Sequence, residues 1–233
     1  MASAIPSPSG ALPAQLRYRI TPRPRPNFRT ILDAHDFLDT ASHLLLRFLR
    51  QEAKLGLQLS HQLAQGGIEE SFSFETRDGA LVSTGLLREV FESEGRRIRH
   101  EECVFDGTAI VLPEGSYPET VLPFILGWLP QDGRTRSLVA WTNDRFVARV
   151  YVEGRGATQI RIGGAKRAAY ALIMYPDLND WVPLPKLVSR LSKPFLPKYQ
   201  MWFDPEPPHA LLRFEGSQGP PGAPELILEL EPG

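Results

Sequence analysis

A single cysteine, Cys103, stands in 233 residues. Alone it closes no internal disulfide and builds no cysteine-rich metal site. No run approaches the eighteen or so apolar residues that a membrane-spanning helix needs. Charge of one sign is also missing. Lys and Arg number 26 against 27 Asp and Glu, so no global field steers the chain toward nucleic acid or a lipid surface. The start, MASAIPSPSGALPA, has neither the basic beginning nor the apolar stretch of a signal peptide. A cytoplasmic location is the default expectation, with a periplasmic one left open if a leader has been removed. G-x-S-x-G, H-E-x-x-H, phosphate-loop and kinase signatures are absent, and no cofactor is implied.

What is present is enough apolar material for a core. Hydrophobic residues make up 42% of the chain, too many for general disorder. Proline is abundant and uneven. Six of the 22 fall in residues 1–27, and Pro22-Arg23-Pro24-Arg25-Pro26 excludes a helix interior or a central strand. Residues 1–27 therefore read as an extended proline- and arginine-rich arm, followed by one β-rich domain over 28–231. Arg17, Arg19, Arg23, Arg25 and Arg29 precede every acidic residue. Such a tract could lie along phosphates, but a solvated tail is the simpler reading. The rest of the chain adds no nucleic-acid motif.

Residues 34–49 carry Ala34, Phe37, Leu38, Ala41, Leu44, Leu45, Phe48 and Leu49 at helical spacing behind a capping Asp33. A helix packed through Phe37, Leu38, Leu44, Leu45 and Phe48 is expected, ending near Gly56. LGLQLSHQL beyond it also alternates with period two and could be a strand. From Gly67 onward period two dominates, punctuated by Asp78-Gly79, Glu94-Gly95 and Asp106-Gly107 as turns. Ser116–Leu129 is expected to be a short buried helix. Ser116 and Glu119 have the spacing of a capping box, Pro118 suits the first turn, and Val121–Leu129 leaves almost no polar face.

A second meander follows, with turns expected at Asn143-Asp144, Glu153-Gly154 and Gly163-Gly164. Phe146, Ala148, Val150 and Val152 form its core face. YQMWFD, HALLRFEG and ELILELE supply further strands. The fold class is thus mainly β with a few helices: an antiparallel meander in a highly curved sheet or incomplete barrel around a short buried helix. Two stacked sheets are the alternative.

YPETVLPFILGWLPQDG, RFVARVYVEGRGATQIRIGGAKRAAYALIM and MWFDPEPPHALLRFEG with the final ELILEL resemble an uncharacterised bacterial family of unknown function. That family is β-rich and often exported. The likeness covers roughly residues 67–231. It implies a curved sheet like that of lipoprotein carriers, with a hydrophobic concavity, and it transfers no catalytic residue or cofactor.

Candidate chemistry is sparse. His35, Asp39 and His43 would share a helical face, yet a solvated face explains them better than a metal site. Cys103 beside Val104 reads as a small hydrophobe. The aromatic set is more suggestive. Trp128, Trp141, Tyr151 and Trp202, with Trp181, Phe195 and Phe203, could line a cavity in a curved sheet or simply fill a core. The leading expectation is therefore non-enzymatic binding of an apolar small molecule or lipid at Trp128, Trp141, Tyr151 and Trp202. The alternatives are an enzyme using His100, Glu102 and Arg149, and a structural or protein-interaction domain. Oligomeric state is not legible.

Overall fold

The computed structural model describes residues 2–22, 42–52, 54–63, 66–92, 94–105, 113, 115–143, 146–177, 198–217 and 225–232. Within them the chain forms thirteen strands in one sheet: β1 Gln15–Pro22, β2 Ser42–Gln51, β3 Lys54–Leu63, β4 Gly66–Arg77, β5 Ala80–Glu92, β6 Arg97–Val104, β7 Ser116–Pro118, β8 Arg136–Asn143, β9 Phe146–Ile162, β10 Ala165–Pro176, β11 Tyr199–Phe203, β12 Leu211–Ser217 and β13 Glu225–Leu230. The order across the sheet is β6-β5-β4-β3-β2-β1-β13-β12-β11-β10-β9-β8-β7. Every pairing is antiparallel except β7 with β8. The sheet is curved and unclosed, as the alternation predicted.

The N-terminus nevertheless bridges the start of β5 and the edge strand β7. Ser7 donates its amide to Gly79 O (2.8 Å), and Leu81 donates to Ile5 O (2.7 Å). Ile5 in turn donates to the Tyr117 hydroxyl at 2.8 Å, and that hydroxyl donates to Leu81 O at 2.9 Å. Ile5 is wholly buried by these contacts. The first residues thus span the space between β5 and β7, supplying partners to backbone groups that an open edge would leave bare.

Three expectations need correction. The arm over 1–27 is not separate from the domain. Gln15–Pro22 is strand β1, held between β2 and β13. Leu16, Tyr18 and Ile20 alternate with Arg17, Arg19 and Thr21, a period-two pattern compatible with a sheet, while Pro22 sits at the strand's last position. The helix expected over 34–49 is not formed where it is described: Ser42–Gln51 is strand β2. Leu44 and Leu46 are buried, Leu45 points the other way, and residues 34–41 lie outside the described residues. LLLRFL fits both periods, and strand partners on either side decided the outcome.

The third correction concerns residues 116–129. Ser116–Pro118 is strand β7, and helix α1 runs only Leu122–Ile125, continued by a 3-10 turn over Leu126–Trp128. Ser116 does not cap it; its Oγ donates to Pro113 O at 2.6 Å. Burial of Leu122, Phe124, Ile125 and Leu126 was expected and is found. Gly127 is needed for close approach, since a Cβ there would meet His209 O at 2.4 Å and the Phe203 ring at 2.5 Å.

The Asp78-Gly79 and Gly163-Gly164 turns form as expected, all four residues having positive φ. Glu153-Gly154 is not a turn. Strand β9 runs through it, and the register against β10 shifts there, with Ala171 opposite Gly156 and Leu172 opposite Gly154. Asp106-Gly107 and Asp144 lie outside the described residues. Ala148, Val150 and Val152 face the core as expected.

Candidate functional site

The inner face carries one continuous cluster of buried side chains from Ile5 to Leu228. The four candidate ligand residues do not converge on it. Trp141 is core, 2% exposed, with the Phe105 ring edge-on at 5.1 Å. Trp128 is also inside, its indole N–H donating to Pro208 O at 3.0 Å. Trp202 lies on the outer face with Ile160, Ile162 and Leu212. Tyr151 is outside as well, donating to Asp177 Oδ2 at 2.8 Å, with Tyr175 5.6 Å away. Strand alternation separates them: on β11, Trp202 is flanked by inward Met201 and Phe203. Trp181 and Phe195 lie outside the described residues.

Trp128 does belong to a cleft. Leu12, Pro13, Leu16, Tyr18, Leu46, Phe48, Phe124, Pro208, Ala210 and Leu211 complete its walls. The enclosed space is only about 10 Å³, roughly one water molecule. Four parts of the chain meet here: the residues before β1, the ends of β1 and β2, the α1 region, and the turn before β12. Register explains the meeting, because Leu16 pairs with Leu46 across β1 and β2. The Tyr18 ring stands edge-on to Phe124 at 5.6 Å. Its hydroxyl is fully buried and has no hydrogen-bond partner among the described residues. Burial pushes its pKa above the ordinary phenol value, so it stays protonated.

The other end of the inner face is polar. Glu70, 3% exposed, lies opposite Arg88, and Arg88 lies opposite Glu101. Arg88 donates to Glu70 at 2.7 Å and lies 3.4 Å from Glu101, while the Thr120 hydroxyl donates to Glu70 at 3.3 Å. Burial works against the Arg88 charge, but Glu70, then Glu101 and Glu119, outweigh it and hold its pKa above the ordinary value. His61 is buried nearby on β3, opposite Ile68, and its Nε2 has no partner among the described residues. Desolvation lowers its pKa to about 4, so it is neutral at pH 7.

The residues weighed for an enzyme do not come together. His100 and Glu102 sit exposed on β6, where His100 Nδ1 is 3.2 Å from Glu89, and Arg149 is exposed on distant β9. Of the metal-like set, His35 and Asp39 lie outside the described residues; His43 is 3.3 Å from Glu231. Among the described residues no group of three or more His, Cys, Asp or Glu could hold a metal ion, and no helix is long and apolar enough to cross a membrane. Sequence reading missed Tyr18 and His61, although Leu16-Tyr18-Ile20 and Leu57-Leu59-His61 each put the polar group on an apolar face by strict alternation.

No family model matches the chain, and no curated protein does either. Among solved structures it is similar to a β-barrel-like protein of a domain-of-unknown-function family, DUF1849, from Brucella abortus. The two are 9% identical, with a TM-score of 0.48, over 93% of this chain and 94% of that one.

Proposed function

We propose that the chain is a non-enzymatic binding protein for a single-chain apolar or weakly polar ligand, held in the cleft at Trp128 and Tyr18. The observation that carries the reading is a buried hydroxyl, without a partner among the described residues, on Tyr18, a residue that lines an otherwise apolar cleft. Leaving such a group unsatisfied costs about 1–3 kcal/mol, which a ligand acceptor would recover. The small resting volume means that the ligand enters by displacing the Leu12-Pro13 segment rather than by filling an open chamber. Among the described residues no cationic side chain lines the cleft, so a neutral alcohol or ester suits it better than a carboxylate, whose charge would be buried unpaired.

The test titrates dodecanol and dodecanoate against the wild type, Tyr18→Phe, Trp128→Ala and Leu122→Ala, reading tryptophan fluorescence and thermal shift. Dodecanol should bind more tightly than dodecanoate. Tyr18→Phe should weaken it about tenfold, the value of one hydrogen bond; Trp128→Ala, which strips ring surface from the wall, should weaken it as well; and folded Leu122→Ala should leave it unchanged. Failure of the wild type to bind either probe, or equal affinity across all folded variants, overturns the reading.

A further inference from the structure

Two buried polar atoms on the inner face, the Tyr18 hydroxyl and His61 Nε2, have no hydrogen-bond partner among the described residues. The register puts them in one row across the sheet. Tyr18 on β1 lies opposite Leu44 on β2, and Leu44 lies opposite His61 on β3. Tyr18 and Leu44 are wholly buried in the core cluster, and His61 continues the inward series of Leu57 and Leu59. All three side chains of the row therefore face the same side. Glu70, two residues along β4 from the Ile68 that stands opposite His61, is already engaged by Arg88 and Thr120.

Two strand spacings, roughly 10 Å, separate the Tyr18 and His61 backbones. Side chains stand nearly perpendicular to a sheet, so on a concave face their tips converge. Tyrosine and histidine are both longer than the leucine between them, and their polar atoms reach past its methyl groups. The two atoms ask for different things. A phenol O–H donates, whereas a neutral imidazole, the form that desolvation imposes on His61, presents one nitrogen with a lone pair. A hydroxyl answers both with a single oxygen, accepting from one and donating to the other. An ester or ether oxygen only accepts, and would leave the imidazole nitrogen bare.

We infer, resting on the cleft proposed above, that His61 is a second polar anchor beside Tyr18 and that the ligand carries a hydroxyl head group. Its oxygen accepts from the Tyr18 hydroxyl and its proton is donated to His61 Nε2. This narrows the ligand from neutral alcohols and esters to alcohols. It also orients the ligand. Along β1 and β2 the cleft walls run from Tyr18 past Leu16 and Leu46 to Phe48. Phe48 donates its amide to Ala14 O at 3.1 Å, next to the Leu12-Pro13 segment. The hydroxyl therefore lies at the Tyr18 end, and the alkyl chain extends toward Phe48 and Leu12-Pro13.

The test titrates dodecanol and 1-methoxydodecane, the same molecule with its hydroxyl capped by a methyl, against the full chain. Wild type should bind dodecanol about tenfold more tightly than the ether, the value of one hydrogen bond. His61→Leu should erase that preference by weakening dodecanol alone. His61→Gln, whose side-chain carbonyl offers an acceptor of similar reach, should keep part of it. In nitrogen-15-labelled wild type, dodecanol should shift the His61 Nε2 resonance. Failure of wild type to bind either probe overturns the cleft and this anchor together. If Tyr18→Phe weakens dodecanol while folded His61→Leu does not, the cleft stands and the His61 anchor falls. Equal wild-type affinity for the two probes has the same meaning. So does a His61 resonance unmoved at saturating dodecanol, a result that depends on the folding of no variant.

Discussion

The Glu70–Arg88–Glu101 set and the Tyr18 hydroxyl, both on the inner face, are buried in opposite ways. Around Glu70, Arg88 and Glu101, charge is answered by charge and by the Thr120 hydroxyl. At the residues lining the cleft, the buried Tyr18 hydroxyl has no partner among the described residues. The first arrangement is complete within the chain, so removing a member exposes a cost. The second is incomplete, so removing its polar atom relieves one.

The largest effect should come from breaking the complete end. Arg88→Ala leaves Glu70 buried without its cation and should lower stability by about 3–5 kcal/mol in urea unfolding. Glu70→Met with Arg88→Met should recover most of that loss, because apolar replacement of both partners removes the uncompensated charge. Equal destabilisation by the single and double variants would break the comparison.

His61 should produce the next effect, visible as pH dependence. Its folded pKa, about 4, lies below its ordinary 6.5, so the unfolded chain takes up the proton first as pH falls. Its contribution is therefore full above pH 6.5 and is lost between 6.5 and 4, on the order of 3 kcal/mol in all. His61→Leu should flatten that part of the stability profile; an unchanged slope would mean that His61 is not the group responsible.

A control away from both ends is Gly164, at φ +85° with open space where a side chain would stand. Gly164→Val should cost about 1–2 kcal/mol from backbone strain alone, measured by thermal melt, without altering ligand affinity or pH slope. Smallest of all is Tyr18→Phe. It should leave stability unchanged or raise it by up to about 1 kcal/mol, while weakening dodecanol. A clear loss of stability would show that the hydroxyl is satisfied in solution and would remove the contrast between the ends.

Much of this architecture was legible in the residues. Asp78-Gly79 and Gly163-Gly164 are turns because few other residue pairs accept two consecutive positive φ values. The inward Ala148-Val150-Val152 face followed from alternation alone. Other parts were misread for identifiable reasons. Leu44, Leu45 and Leu46 are consecutive, so a helical stripe and a strand face can both be drawn through them; only pairing with Leu16 and Leu59 chooses Leu46 as inward. The prolines of 22–26 drew attention from the alternation just before them, and β1 was taken for a tail. Trp128 and Trp141 lie in the core cluster, whereas Tyr151 and Trp202 lie on the outer face, a difference that aromatic content cannot show.

By itself the sequence determined the predominance of strands, the tight glycine turns and the burial of the Leu122–Leu126 segment. These are local matters of backbone sterics and of apolar side chains with no polar face to show water. Tertiary structure alone decided that β1 lies between β2 and β13, that Ile5 and Ser7 bridge β5 and β7, and that the Tyr18 hydroxyl has no partner among the described residues while Arg88 is surrounded by carboxylates. Those outcomes depend on which distant strands become neighbours. Period-two alternation says which side a residue faces, but not what stands across from it.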